Sequence, residues 1–308
     1  MFEIVFTQDV SFVIEEHIAA FLKSLDVKAS SRSTYQRQLR EFLVWRKKYG
    51  ITKPAREDLL DYKDFLKNEK ELSALTIAGY LTAVRKLFEF LEAQKIYPNI
   101  AKGIKNPKRK RGFKKDALTP EQVKELLLSI ERTSLSGKRD FAILNLMIRT
   151  GLRTIEITRA NREDMTTQSG AAILWIHGKG RDSKDELVLL TDSALQPIRD
   201  YIKARGRVRD EDPLFASHSS KNKGKPLTTR SISRIVKKRL LAVGLDDDRL
   251  TAHSLRHTAI TLSLLAGATP QEARAMARHA DINTTMIYAH NINRIEQAPE
   301  RKIDTLLE

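Results

Sequence analysis

The stretch His253-Ser-Leu-Arg256-His257, continuing through Gly267-Ala-Thr-Pro270 and Arg278-His279 to Asn283-Thr-Thr-Met-Ile-Tyr288-Ala-His290, decides how the C-terminal half of this 308-residue chain is read. It holds four of the seven histidines and one of the seven tyrosines. Its apolar residues recur at helical spacing, and the breaks fall at Gly267, Pro270 and Asn283. Three helices are expected: 253–265, 271–277, and one capped by Asn283 that carries Tyr288. His253 and Arg256 are three apart and share a face, and His257, four from His253, can share it too. Two histidines at this spacing suggest zinc, but the metalloprotease motif needs Glu directly after the first histidine and Ser254 stands there. No metal site is expected.

Working outward, residues 228–243 read as a strongly basic helix. Ile232, Ile235, Val236, Leu240 and Leu241 give it an inner face. Arg230, Arg234, Lys237 and Lys238 lie off that face, either solvated or against DNA. Two short strands, 172–177 and 186–190, flank Gly178-Lys179-Gly180-Arg181-Asp182, a turn that presents Lys179 at a hairpin tip. Taken alone, such a lysine is most simply an exposed loop residue. A helix over 139–149 is apolar almost all round and should be the buried centre of its domain. It ends in Thr150-Gly151-Leu152-Arg153-Thr154-Ile155-Glu156. Gly151 suits a helix C-cap, which places Arg153 at a break between helices and Glu156 one turn on. Thr119, Pro120 and Gln122 mark the start of this domain's first helix.

The first hundred residues have the pattern of a compact all-helical unit. Helices are expected over 11–26, after the serines at 30–33, over 56–68, and from 72–73. Their aromatic residues read as core. Arg32, Arg37 and Arg40 fall off the apolar face and serve as a solvated surface or as phosphate contacts. After Tyr97-Pro98, eight of the fourteen residues from Lys102 to Lys115 are basic, Lys108, Arg109, Lys110 and Arg111 among them. Such a run is a localisation signal, a tail, or a strap that tracks phosphates between two folded domains. Its position favours the strap. The domains expected are therefore 1–98, a linker over 99–116, and 117–308.

Composition narrows the partners. The formal net charge is +16, a field that attracts polyanions, nucleic acid first. The absence of cysteine excludes disulfides, thiol nucleophiles and thiolate zinc sites, and fits a reducing cytoplasm. No run of about 18 apolar residues suggests a membrane span.

The chemistry-bearing set is then Arg153, Lys179, His253, Arg256, His279 and Tyr288. It contains no evident carboxylate pair for two-metal catalysis and no phosphate-cradling glycine loop. Two guanidiniums can fork onto the oxygens of one phosphate and stabilise the charge of phosphoryl transfer. A tyrosine hydroxyl can attack phosphorus and form a covalent ester.

In combination and order, the boxes at 150–156, 253–257 and 279–290 resemble those of the tyrosine recombinases, the phage-integrase family that includes Xer-type recombinases and mobile-element integrases. The resemblance spans nearly the whole chain. It implies a mainly α fold: a helical, SAM-like core-binding domain, and a mixed α/β catalytic domain with a small antiparallel sheet. The two would form a C-shaped clamp around duplex DNA. It implies Tyr288 as nucleophile, forming a 3′-phosphotyrosyl link, with Arg153 and Arg256 clamping the phosphate. Lys179 would protonate the departing 5′-oxygen, His253 would assist proton transfer at the tyrosine, His279 would bind the phosphate, and Glu156 would brace the arginine box. No cofactor is implied, and strand exchange would run through a Holliday junction within a homotetramer. The C-terminal segment with Ile303, Leu306 and Leu307 would dock on a neighbouring protomer. Relaxation by a type IB topoisomerase-like enzyme, or DNA binding without catalysis, would use the same fold. One departure stands out: the family usually has Leu-Gly before the histidine at 279, and here Ala277-Arg278 precedes it. Arg278 is open to a DNA contact of its own.

Overall fold

A computed structural model describes residues 14–108, 117–178, 183–296 and positions 303, 304, 306 and 307. Lys179, Arg109, Lys110 and Arg111 lie outside the described residues. The chain divides into two units, Met1–Gly112 and Phe113–Glu308, each with its own core. No helix among the described residues is long and apolar enough to cross a membrane.

The first unit contains α1 (Ile14–Ser24), α2 (Ala29–Lys48), α3 (Arg56–Asp64) and α4 (Ala74–Ala93). One π-type turn, Phe65–Glu69, extends α3. Phe21, Phe42, Trp45, Tyr62 and Phe88 fill its centre, as their helical spacing requires. Helix α2 begins ahead of the expected serine caps. Ser33 and Thr34 instead donate back to the carbonyls of Ala29 and Ser30 one turn earlier. Arg32, Arg37 and Arg40 are exposed on α2. The chain stays with this core past Pro98, because Ala101 and Ile104 pack into it. Arg56 and Arg85 donate to the carbonyls of Lys102 and Ile104 and hold that segment down. Lys108 is exposed.

The second unit runs α5 (Pro120–Leu128), α6 (Leu135–Thr150), α7 (Thr154–Arg159), β1 (Met165–Gln168), β2 (Ala171–His177) and β3 (Lys184–Leu189). It continues with α8 (Asp192–Arg205), α9 (Thr229–Ala242), α10 (Ala252–Leu265), α11 (Pro270–Ala277) and α12 (Ile282–Glu296). Its sheet is antiparallel in the order β1-β2-β3. Met165 pairs with Leu174, and Leu174 with Val188, with an irregularity between Ile176 and His177. Strand β1 was not expected. It presents mostly exposed polar residues, so only its backbone ladder marks it as a strand.

Helix α6 is the buried axis of this unit, packed against α8 and α10. It starts earlier than the apolar run, at a Ser134 cap. The charges at its start are paired inside: Asp140 bridges Arg139 and Arg239, each at 2.8 Å. Helix α12 packs on α10 and α11 through a small separate cluster of Ile260, Ala277 and Tyr288. Asp281 caps α12 by accepting from the Asn283 amide at 2.9 Å, so the expected cap at Asn283 is two residues late. Ile303, Leu306 and Leu307 are exposed.

Candidate active site

Two helix ends build the site. Helix α6 stops at Gly151, whose left-handed φ of +63° turns the chain and closes the helix on the Met147 carbonyl. The turn delivers Arg153 to the start of α7, where the buried carboxylate of Glu156 reaches back. Oε2 of Glu156 accepts from the Arg153 amide at 2.8 Å, and Oε1 accepts from Nη1 of Arg153 at 2.7 Å. Helix α11 ends at Arg278, which also takes the left-handed conformation, φ +54°. A side chain there costs about 1 kcal/mol or more over glycine.

Arg256, on α10, ties these ends together. Its guanidinium donates to the Gly151 carbonyl at 2.6 Å and to the Ala277 carbonyl. Both acceptors sit at helix C-termini, whose partial negative charge suits a cation. Arg256 is buried, 2% exposed. Burial, and then the neighbouring Arg153 and Arg278, lowers its pKa to about 10, so it stays charged at neutral pH.

Arg278 does not reach outward to a DNA contact. Its side chain is turned in and is 5% exposed. Nη2 donates to Oε2 of Glu156 at 3.0 Å and Nη1 to the Met276 carbonyl at 2.7 Å. Glu156 therefore holds two guanidiniums. Burial raises its pKa, but the Arg278 charge and the Arg153 hydrogen bonds oppose this and leave it below the ordinary value.

The histidines and the tyrosine meet across α10, α11 and α12. The Tyr288 hydroxyl is hydrogen-bonded to Nδ1 of His257. The rings of His253 and His257 pack edge to face with centroids 4.5 Å apart. Tyr288 is buried, and that burial pushes its pKa up to about 12 despite the opposing Arg256 charge. Nδ1 of His279 shares a 2.8 Å hydrogen bond with Oγ1 of Thr285, and its ring lies along that of Tyr288. Burial, then the charges of Arg256, Arg153 and Arg278, lowers the His279 pKa to about 4, so its imidazole is neutral at pH 7.

Arg153, Arg256, His279, Tyr288 and Glu156 are thus drawn into one linked set, with His253 beside it through His257. Lys179 is outside the described residues; the strands that flank its turn, β2 and β3, are in place. The sequence reading weighed His257 only as a metal ligand, gave it no part in the reaction, and passed over Thr285. Both sit inside the quoted stretch, but their roles depend on how α12 packs, which spacing alone does not give. Among the expected DNA contacts, Arg230, Arg234 and Lys238 are exposed on α9. Lys237 is turned aside: Nζ donates to the Asp247 carbonyl at 3.0 Å and pairs with Asp246 at 3.4 Å. The loop after α9 supplies these oxygens, which a helical-face argument does not see.

Known proteins share the sequence and the fold of this chain. Residues 116–294 match the phage integrase family, and residues 18–95 match the phage integrase N-terminal SAM-like domain. A tyrosine recombinase XerC of Herpetosiphon aurantiacus is 32% identical over 301 residues, covering 94% of each chain. The fold is shared with XerH site-specific recombinase in a post-cleavage complex with its palindromic difH substrate. There the TM-score is 0.72 at 21% identity, over 94% of this chain and 85% of that one. It is also shared with the Tn1549 transposon integrase in complex with transposon right end DNA, at a TM-score of 0.70 and 18% identity, over 90% of this chain and 94% of that one. With more than half its length matched by the family model, the chain belongs to the phage integrase family, as a tyrosine-type site-specific recombinase.

Proposed function

We propose that this recombinase cuts and rejoins duplex DNA with Tyr288 as its nucleophile. The contact between the Tyr288 hydroxyl and His257, beside the anchored Arg256, carries this reading. The tyrosine oxygen bonds to the scissile phosphorus while the bond to the 5′-oxygen breaks. The tyrosine proton passes to the histidine pair His257 and His253, and Lys179 gives a proton to the departing 5′-oxygen. Arg153 and Arg256 hold the non-bridging oxygens, where a preorganised charge stabilises the pentacoordinate state. The Nδ1 of His279 is engaged by Thr285, which leaves Nε2 for a phosphate oxygen. The phosphodiester energy is kept in the 3′-phosphotyrosyl ester, so a 5′-hydroxyl from a second strand can reverse the step.

The XerH and Tn1549 integrase structures contain DNA, which supports duplex DNA as the partner here. The exposed Arg32, Arg37, Arg40, Lys108, Arg230, Arg234 and Lys238 supply phosphate contacts to that duplex, and Arg109, Lys110 and Arg111 add positive charge to the same role. The exposed apolar Ile303, Leu306 and Leu307 suit docking onto a neighbour in a homotetramer. The test is a plasmid carrying two copies of the site recovered by genomic footprinting. Resolved recombinant circles and a four-protomer complex are expected. Relaxation without recombinants would assign a monomeric topoisomerase reaction instead.

His257 makes its own prediction. With the Tyr288 pKa at about 12, only about one of its hydroxyls in 10⁵ is ionised at pH 7, so attack needs a base. His257→Phe is expected to slow single-turnover cleavage by about 10²-fold. The rate of the variant should keep rising with pH, because hydroxide must replace the base, where the wild-type rate levels off. Superimposable pH–rate profiles would remove His257 from the proton path.

A further inference from the structure

Arg278 occupies the position where the family usually has glycine, and a left-handed backbone gives it no local reason to be there. A solvent-exposed arginine would explain a gain in DNA affinity, yet this one is 5% exposed. Its two terminal nitrogens are engaged inside. Nη2 holds Oε2 of Glu156, and Nη1 holds the Met276 carbonyl next to the α11 end. Its own carbonyl lies 3.5 Å from Nη2 of Arg153. Nε, buried and without a hydrogen-bond partner among the described residues, faces the Glu186 carboxylate on β3 at 3.9 Å.

The charges decide what this does. With glycine at 278, the fully buried Glu156 carboxylate would be balanced by Arg153 alone, and that pair would be close to neutral. Arg278 supplies a second cation to the same carboxylate. Arg153 is thereby left with charge to give to a phosphate, as is Arg256, whose anchor Ala277 directly precedes Arg278. We propose that Arg278 is a positioning residue of the phosphate clamp: it balances Glu156 from behind and fixes the α11 end, so that Arg153 and Arg256 meet the scissile phosphate as a full cationic pair. Nε and Glu186 extend this hold to β3, the strand that follows the Lys179 turn. The inference rests on the strand-transfer reading above.

The test compares Arg278→Gly and Arg278→Lys with wild type in the full chain. Glycine suits the left-handed backbone, so the first variant should fold. On a nicked suicide duplex, Arg278→Gly is expected to slow single-turnover cleavage by about 10- to 100-fold, the range for losing a group that orients a contact residue. Site binding should change far less, since Arg278 is buried. Arg278→Lys keeps the charge but not the fork, and should recover part of the rate. A second readout needs no activity. In the DNA-free protein, histidine-selective NMR should show the His279 pKa rising from about 4 in the glycine variant, because one of the nearby cations has gone. Wild-type cleavage with an unmoved His279 titration would overturn the proposal, as would a rate loss matched by an equal loss of binding. Absence of any adduct with wild type would instead defeat the strand-transfer reading, while the NMR comparison still judges Arg278.

Discussion

Tyr288→Phe is expected to abolish the covalent protein–DNA adduct on a nicked suicide duplex while leaving site binding intact. The substitution removes one oxygen. The ring stays in place against Ile260 and Ala277, so α12 keeps its packing. The stability loss is one hydrogen bond, the one to His257, worth about 0.5–1.5 kcal/mol. That is too little to unfold the domain, and the proposed duplex contacts lie on other elements. The loss of chemistry is complete because the Thr285 hydroxyl, one turn earlier on α12, is buried and hydrogen-bonded to Nδ1 of His279 and does not take over the attack. Trapped adduct, resolved by denaturing electrophoresis, is the measurement. An adduct that survives in the phenylalanine variant would sink the assignment of Tyr288.

Arg256→Ala is expected to cost at least about 10²-fold in cleavage, the scale of losing one preorganised donor. It should also destabilise the fold, unlike the tyrosine change. The guanidinium caps two helix ends at once, and its removal strands the buried carbonyls of Gly151 and Ala277. Each buried carbonyl left unpaired costs about 1–3 kcal/mol. Urea unfolding and single-turnover cleavage on the same preparation separate the two effects. Cleavage near the wild-type rate in a destabilised variant would place Arg256 outside the chemistry and leave it as a helix tie only.

Much of the site was legible because its local geometry follows from neighbours in sequence. Gly151 reads as a left-handed cap, and the cap puts Arg153 and Glu156 three residues apart on a helix start. The helices of the first unit follow from the spacing of Phe21, Phe42, Trp45 and Phe88. What stayed hidden depends on partners far along the chain. Arg278 looks like a surface cation until Glu156, 122 residues earlier, is seen to hold it. The helix read from Arg139 starts at Leu135, and what its apolar spacing does not show is that Arg139 and Asp140 are buried in a network completed by Arg239. His257 and His253 satisfy the same helical spacing, and only the packing of α12 on α10 shows which one hydrogen-bonds to the Tyr288 hydroxyl. Strand β1 carries no apolar alternation, so a period-two search passes over it.

The cluster that seats Tyr288 is separate from the main core of its unit and holds three buried residues. Local opening free energies within one protein range from near zero to the global value, and small clusters lie at the low end. Arg256, by contrast, is tied on one side to the end of α6, the buried axis of the main core. The two halves of the reaction therefore sit on parts of unequal permanence. The Gly151 anchor of Arg256 belongs to the main core, whereas the proposed nucleophile is seated on the smaller cluster, which also holds the second anchor, Ala277. Reactivity in this chain can then be governed by how often α12 is seated, a population set by a few side chains.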